Sequence, residues 1–141
     1  MFVLLVEDNR DDEELTLLTL QENHIADEVT VVHDGVEALD YLFATGSYAG
    51  SAPRLPHLIL LDVKLPRVNG LEVLARIKGD DRTRKIPVVM LTSSREEPDV
   101  IRSYDLGVNS FVVKPVGFDQ FKEAIKHLGF YWQILNVLPP L

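Results

Sequence analysis

The stretch Leu58-Ile59-Leu60-Leu61-Asp62-Val63-Lys64-Leu65-Pro66 decides how the rest of the chain is read. Four branched aliphatic residues run without alternation and then meet a carboxylate. A strand with one wet face would alternate apolar with polar residues. A strand buried on both faces of a parallel sheet reads as a continuous apolar run. Working outward, the same texture recurs at Phe2–Val6, Val29–Val32, Val88–Leu91 and Phe111–Val113. Between these runs apolar residues fall at helical spacing. Leu15 and Leu18 follow the first run. Leu39, Leu42 and Phe43 follow the second, behind Asp34 as a candidate N-cap. Leu71, Leu74 and Ile77 follow the third, Val100, Ile101 and Tyr104 the fourth, and Phe121, Ile125 and Leu128 the fifth. Strand and helix thus alternate five times. That predicts an α/β, doubly wound (βα)5 fold: a five-stranded parallel sheet, right-handed crossovers and helices on both faces.

The length of 141 residues suits one domain, predicted over 1–128 with residues 129–141 as an aromatic extension of it. A hydrophobic content of 46% supports a packed core. The absence of cysteine excludes disulfides, thiolate metal sites and cysteine nucleophiles. The opening apolar run lacks the basic flank and cleavage site of a signal peptide, and no other run approaches the ~20 residues of a membrane span. The expectation is a cytoplasmic protein with no membrane partner. A net charge of -8 opposes binding to a nucleic-acid backbone, whose affinity comes from Lys and Arg. The segment Gly46 to Pro56 reads as a surface loop at the face opposite the strands' carboxyl ends.

Ligands of open α/β sheets bind outside the carboxyl ends of the strands. There the first run delivers Glu7 and Asp8, the third Asp62, the fourth Thr92 and Ser93, and the fifth Lys114 and Pro115. Three carboxylates that close cannot all ionise without a countercharge. An oxygen-preferring dication such as Mg2+ resolves the conflict, since it is held by one or two carboxylates with water and phosphate. One carboxylate can then act as a nucleophile toward a phosphoryl group, and Asp62, at the end of the most apolar run, is the best placed. Thr92 and Lys114 offer that group a hydrogen bond and a point charge. The acids Asp12, Glu13 and Glu14 are assigned instead to a first helical turn, where the helix dipole favours them. Ser93 reads as a turn residue, Gly70 and Gly107 as turn or helix-end glycines, and the four histidines share no metal-ligand spacing.

Taken in order, Val6-Glu7-Asp8-Asn9, Leu61-Asp62-Val63-Lys64-Leu65-Pro66, Asn69-Gly70, Leu91-Thr92-Ser93, Phe111 and Lys114-Pro115 resemble the receiver domain of two-component response regulators, the CheY-like branch of the flavodoxin-like folds. The resemblance covers roughly Phe2 to Leu128. It implies that Asp62 is the phosphoacceptor and that a sensor histidine kinase is the donor. It makes Asp8, Asp62 and the backbone carbonyl of Lys64 ligands of Mg2+ or Mn2+, with Glu7 bound through water. Thr92 and Phe111 fill the switch positions, Lys114 pairs with a phosphoryl oxygen, and the peptide before Pro115 is cis. Such a protein catalyses only its own phosphorylation and dephosphorylation. With no residues left for an effector domain, its output would be binding, phosphate relay or a phosphate sink.

Beyond Leu128 the chain turns aromatic. Phe118, Phe121, Ile125, Leu128, Trp132 and Leu135 follow a heptad seam, and Phe130, Tyr131 and Ile134 add a second apolar face. A helix apolar on two faces needs a cover beyond its own domain. The expectation is a homodimer with Phe121, Ile125, Leu128, Tyr131, Trp132 and Leu135 at its interface. The tail and the long loop also resemble single-domain regulators paired with bacterial phytochromes, which implies a phytochrome-type kinase. Two other classes fit less well. An aspartyl phosphohydrolase of the haloacid-dehalogenase type wants a second Asp where Lys64 stands. In a flavodoxin-like FMN carrier, Glu7, Asp8 and Asp11 would repel the phosphate.

Overall fold

The computed structural model describes residues 1–51, 54–93 and 105–125. Its five strands are β1 (Phe2–Val6), β2 (Glu28–Val32), β3 (Leu58–Asp62), β4 (Val88–Thr92) and β5 (Ser110–Val113). The described α-helices are α1 (Arg10–Glu22), α2 (Gly35–Phe43), α3 (Gly70–Lys78) and α4 (Phe118–Ile125), with a single 3-10 turn at Gly46–Tyr48. Every strand pairing is parallel, in the order β2-β1-β3-β4-β5. The (βα)5 expectation is met within a residue at each strand, and the segment around Val100, Ile101 and Tyr104 lies outside the described residues. No described helix is long and apolar enough to cross a membrane.

The continuous apolar runs make sense once the alternation is split between two cores. Successive side chains of a strand face opposite sides of the sheet. Leu4, Val6, Ile59, Leu61, Val88 and Met90 pack under α2 and α3 with Leu39, Leu42, Val73, Leu74 and Ile77. Val3, Leu5, Leu58, Leu60, Val89 and Leu91 pack on the other side with Leu20, Phe121 and Ala124. The three inner strands are buried throughout, whereas the edge strand β2 is buried only at Val32 and β5 alternates. Each fully buried Leu or Ile contributes about 1.5–3 kcal/mol of burial free energy, so the three inner strands anchor the domain.

Side-chain caps open the first three helices. Asn9 Oδ1 accepts from Asp12 N at 3.0 Å, Asp34 Oδ1 from Glu37 N at 2.8 Å, and Asn69 Oδ1 from Glu72 N at 3.0 Å. Two sequence readings are corrected. Helix α1 buries Thr16 and Leu20 rather than Leu15 and Leu18, which are 45% and 49% exposed. Phe121 is wholly buried in its own domain's core and is not available to a dimer interface, while Phe118 stays exposed. The described part of the loop after α2 reaches the strands' amino ends, as expected. Its Arg54 pairs with Glu28 at the start of β2 and stacks 4.5 Å over the ring of Phe2.

Gly70 links the fold to the sheet edge. A Cβ there would lie 2.0 Å from the carbonyl oxygen of Asp62 and 2.8 Å from Val63 Cα, both rigid backbone. Only glycine lets α3 start this close to the end of β3. Gly70→Ala is expected to lower unfolding free energy by about 1–3 kcal/mol, the scale of an overpacked contact, in a urea titration.

Candidate functional site

Sheet order brings the charged residues together. β1 and β3 are neighbours, with Val6 opposite Leu61, so Glu7 and Asp62 emerge side by side. The chain order of the strands reverses here, which opens a crevice at the carboxyl edge. Two positions on from Leu5, Leu60 and Val112, the same alternation carries Glu7, Asp62 and Lys114 toward the face covered by α1 and α4. Lys114 follows β5, and its peptide to Pro115 is cis, as the resemblance implied.

Lys114 Nζ lies 3.0 Å from Asp12 Oδ2, 3.1 Å from Asp62 Oδ2 and 3.2 Å from Glu7 Oε1. The other carboxylate oxygen of Asp62 accepts from Lys64 N at 3.2 Å, and Glu7 Oε2 accepts from Asn9 N at 3.2 Å. Asp62 and Thr92 are buried, and Glu7 is completely so. Burial first, and then the adjacent Asp62 carboxylate, push Glu7 up to about 8; the Asn9 amide and Lys114 act the other way. Burial by itself would lower the Lys114 ammonium, but the Asp12, Asp62 and Glu7 carboxylates more than offset it and hold that group above the usual lysine range.

Above these groups opens a cavity of about 180 Å³ whose lining includes Asp8, Asp12, Asp62, Lys64, Thr92, Ser93 and Lys114. Glu7 lies outside this lining. Oxygens of Glu7, Asp8 and Asp62 lie within 4.8 Å of one another, with Asp8 exposed and the other two buried. Hard carboxylate oxygens at that spacing, one of them open to solvent, fit a divalent cation that keeps part of its water. Phe111, opposite Met90 in the sheet, is partly buried against the α2–α3 core.

Of the residues read from the strand ends, Glu7, Asp8, Asp62, Thr92, Ser93 and Lys114 converge here, and one more joins them. Asp12 appears in the sequence as an ordinary acid in a first helical turn. The available signal was its place three residues after the N-cap Asn9, in the first turn of the helix that follows Glu7 and Asp8. Ile125 belongs to α4, but its side chain and the residues Leu128, Tyr131, Trp132 and Leu135 lie outside the described residues.

A doubly wound sheet whose carboxyl edge carries a lysine-bridged carboxylate cluster defines a signalling receiver rather than a flavin carrier. The chain belongs to the response regulator receiver domain family, whose pattern matches residues 3–126. Response regulator Rcp1 of Synechocystis sp. is similar, 39% identical over 97% of this chain and 92% of its own length. The Mn(2+)-bound form of Rcp1 has the same fold, with a TM-score of 0.76 and coverage of 99% of both chains. The bacteriophytochrome response regulator AtBRR is 60% identical, with a TM-score of 0.85 and 96% of each chain covered. The phosphorylated cyanobacterial phytochrome response regulator RcpA is 39% identical, with a TM-score of 0.75 over 99% of this chain and 98% of its own.

The raised Glu7 carboxyl has a consequence for stability. Between the ordinary value of 4.5 and about 8 the folded chain keeps a proton on Glu7 that the unfolded chain has lost. The folded state binds more protons there, so this group's contribution to stability falls as pH rises through that window. In thermal unfolding with a chelator present, Glu7→Gln is expected to flatten the decline of Tm toward pH 8. Parallel curves for the two proteins would contradict the assignment.

Proposed function

We propose that this protein is a response regulator that accepts a phosphoryl group on Asp62 from a sensor histidine kinase. One observation carries the reading: Asp62 is buried at the floor of the crevice, its two carboxylate oxygens held by Lys64 N and Lys114 Nζ at 3.2 and 3.1 Å. An Asp62 oxygen attacks phosphorus, the bond to the donor imidazole breaks, and the donor nitrogen keeps the electron pair. Lys114 already touches Asp62, so its ammonium is in place for a phosphoryl oxygen. Thr92, buried at the end of β4 and lining the same cavity, supplies a hydroxyl donor to another and acts as a switch with Phe111.

Asp8, Asp62 and the backbone carbonyl of Lys64 would hold Mg2+, with Glu7 reaching it through water. When bound, the ion neutralises charge on the transferring oxygens as a Lewis acid. Support for a divalent ion comes from the carboxylate spacing and from the Mn(2+)-bound form of Rcp1. The protein then acts as a phosphoacceptor whose chemistry is confined to its own Asp62, working in the cytoplasm. A phytochrome-type kinase is the proposed donor, supported by likeness to AtBRR and RcpA.

Asp62→Asn is expected to abolish Mg2+-dependent labelling by acetyl phosphate or a phosphorylated kinase, read by phosphate-affinity electrophoresis. Undiminished labelling of that variant would sink the assignment.

The output surface proposed is a homodimer formed by the tail. Residues 129–141 serve as the interface extension of the receiver, with Ile125, Leu128, Tyr131, Trp132 and Leu135 as its apolar contacts. Support comes from the sequence, where Gly129-Phe130-Tyr131-Trp132 continues an apolar seam onto two faces. Trp132→Ala combined with Leu135→Ala is expected to shift the light-scattering mass from dimer to monomer at micromolar concentration. A natural chain that is monomeric there, phosphorylated or not, would refute the dimer.

A further inference from the structure

Asp12 is the one carboxylate at Lys114 that the proposed chemistry does not use. An ammonium has three N–H donors, and in this structure Asp12, Asp62 and Glu7 stand at 3.0, 3.1 and 3.2 Å from Nζ. Three carboxyl oxygens thus crowd the ammonium before any phosphoryl group arrives. A phosphoryl oxygen on Asp62 can gain Lys114 only by sharing or displacing one of these partners.

The three partners are not equally easy to displace. The side chain of Glu7 is 0% exposed and that of Asp62 is 5% exposed, so displacing either would leave a buried polar group, and for Asp62 a buried charge, without its partner. Asp12 is 26% exposed and water can take over its carboxylate. It is also fixed independently of Lys114. Its backbone N–H donates to the Asn9 side chain at the start of α1, which fixes the backbone of that first turn beside the crevice. Asp12 stands apart from the Glu7, Asp8 and Asp62 oxygens that cluster for a cation.

We propose that Asp12 is a positioning residue that restrains Lys114: it holds the ammonium on the α1 side of the crevice and competes with the phosphoryl group for it. The proposal rests on the reading of Asp62 as phosphoacceptor. Removing the Asp12 charge leaves Glu7 and Asp62 to keep Lys114 in place and releases one N–H for the phosphoryl oxygens. Phosphorylation then becomes faster and the aspartyl phosphate lasts longer. Natural Asp12 therefore sets an upper limit on how long the phosphorylated state persists.

The test measures labelling by acetyl phosphate over a range of donor concentrations, and aspartyl-phosphate decay after donor removal, in the full chain with Mg2+. Asp12→Asn is expected to raise labelling efficiency and lengthen the lifetime by about three- to tenfold, the scale for one unit charge a few ångströms away in a partly solvated site. The gain should appear in the maximal rate, since Lys114 acts on the transferring group. Asp12→Glu, which keeps the charge, should stay within about twofold of the natural chain if the pair reforms. In a Lys114→Ala background the Asp12→Asn gain should vanish. Unchanged or slower labelling, an equal gain without Lys114, or a loss of Mg2+ affinity exceeding the gain would each overturn the proposal. Circular dichroism melting of both Asp12 variants separates misfolding from these outcomes. Labelling that survives Asp62→Asn would instead fail the acceptor assignment, so the two failures are distinguishable.

Discussion

A single ammonium group, Lys114 Nζ, holds three carboxylates within 3.2 Å at the edge of the sheet, and the architecture of the domain serves that contact. Each acid comes from a different element: Glu7 follows β1, Asp62 ends β3, Asp12 lies in the first turn of α1. Like charges brought this close repel strongly in a partly dry site. Without the lysine, and without a cation in the crevice above, the ends of β1 and β3 would be forced apart or neutralised. Burial and the adjacent Asp62 carboxylate raise Glu7 to about 8, so below that pH a proton on Glu7 relieves part of this repulsion. An arrangement under that electrostatic load responds to any charge that enters or leaves it, which is what a phosphoryl-accepting signal domain requires.

The two cores hold the charged edge in place. Fully buried aliphatic side chains on both faces of β1, β3 and β4 set the strand ends at fixed heights, because a close-packed interior does not slide. Gly70 lets α3 begin against the carbonyl of Asp62, and Asn69 caps that helix, so the chain leaves Asp62 along a single path. Asp62 is buried at the end of β3, between β1 and β4. Its carboxylate faces the one direction left open, the crevice lined by Asp8 and Thr92.

Much of the site was legible in the chain because strand ends are easy to recognise. Period-two alternation places Glu7, Asp62 and Lys114 on one face as extensions of Leu5, Leu60 and Val112, and every one of them is found there. Helices were harder. A spacing of three and four marks an apolar stripe but not what covers it. Leu15 and Leu18 satisfy that spacing and lie exposed, while Thr16 and Leu20 carry the contact. Phe121 fits a heptad seam equally well and belongs to its own core. Asp12 escaped because a sufficient local cause, the helix dipole, already accounted for an acid in a first turn.

The amino-acid sequence alone determined the five apolar strands, their alternation with helices, and the chemistry delivered at each strand's carboxyl end. Those features are local and periodic, so they can be read along one dimension. Tertiary structure decided the rest: that β1 lies beside β3, that Lys114 gathers three carboxylates, and which stripe of each helix is buried. Strand order and helix rotation are set by how whole faces fit together, and the residues that meet there are 52 and 107 positions apart in the chain for Lys114 with Asp62 and Glu7. Separations of that size leave no trace in a local pattern until the sheet has closed.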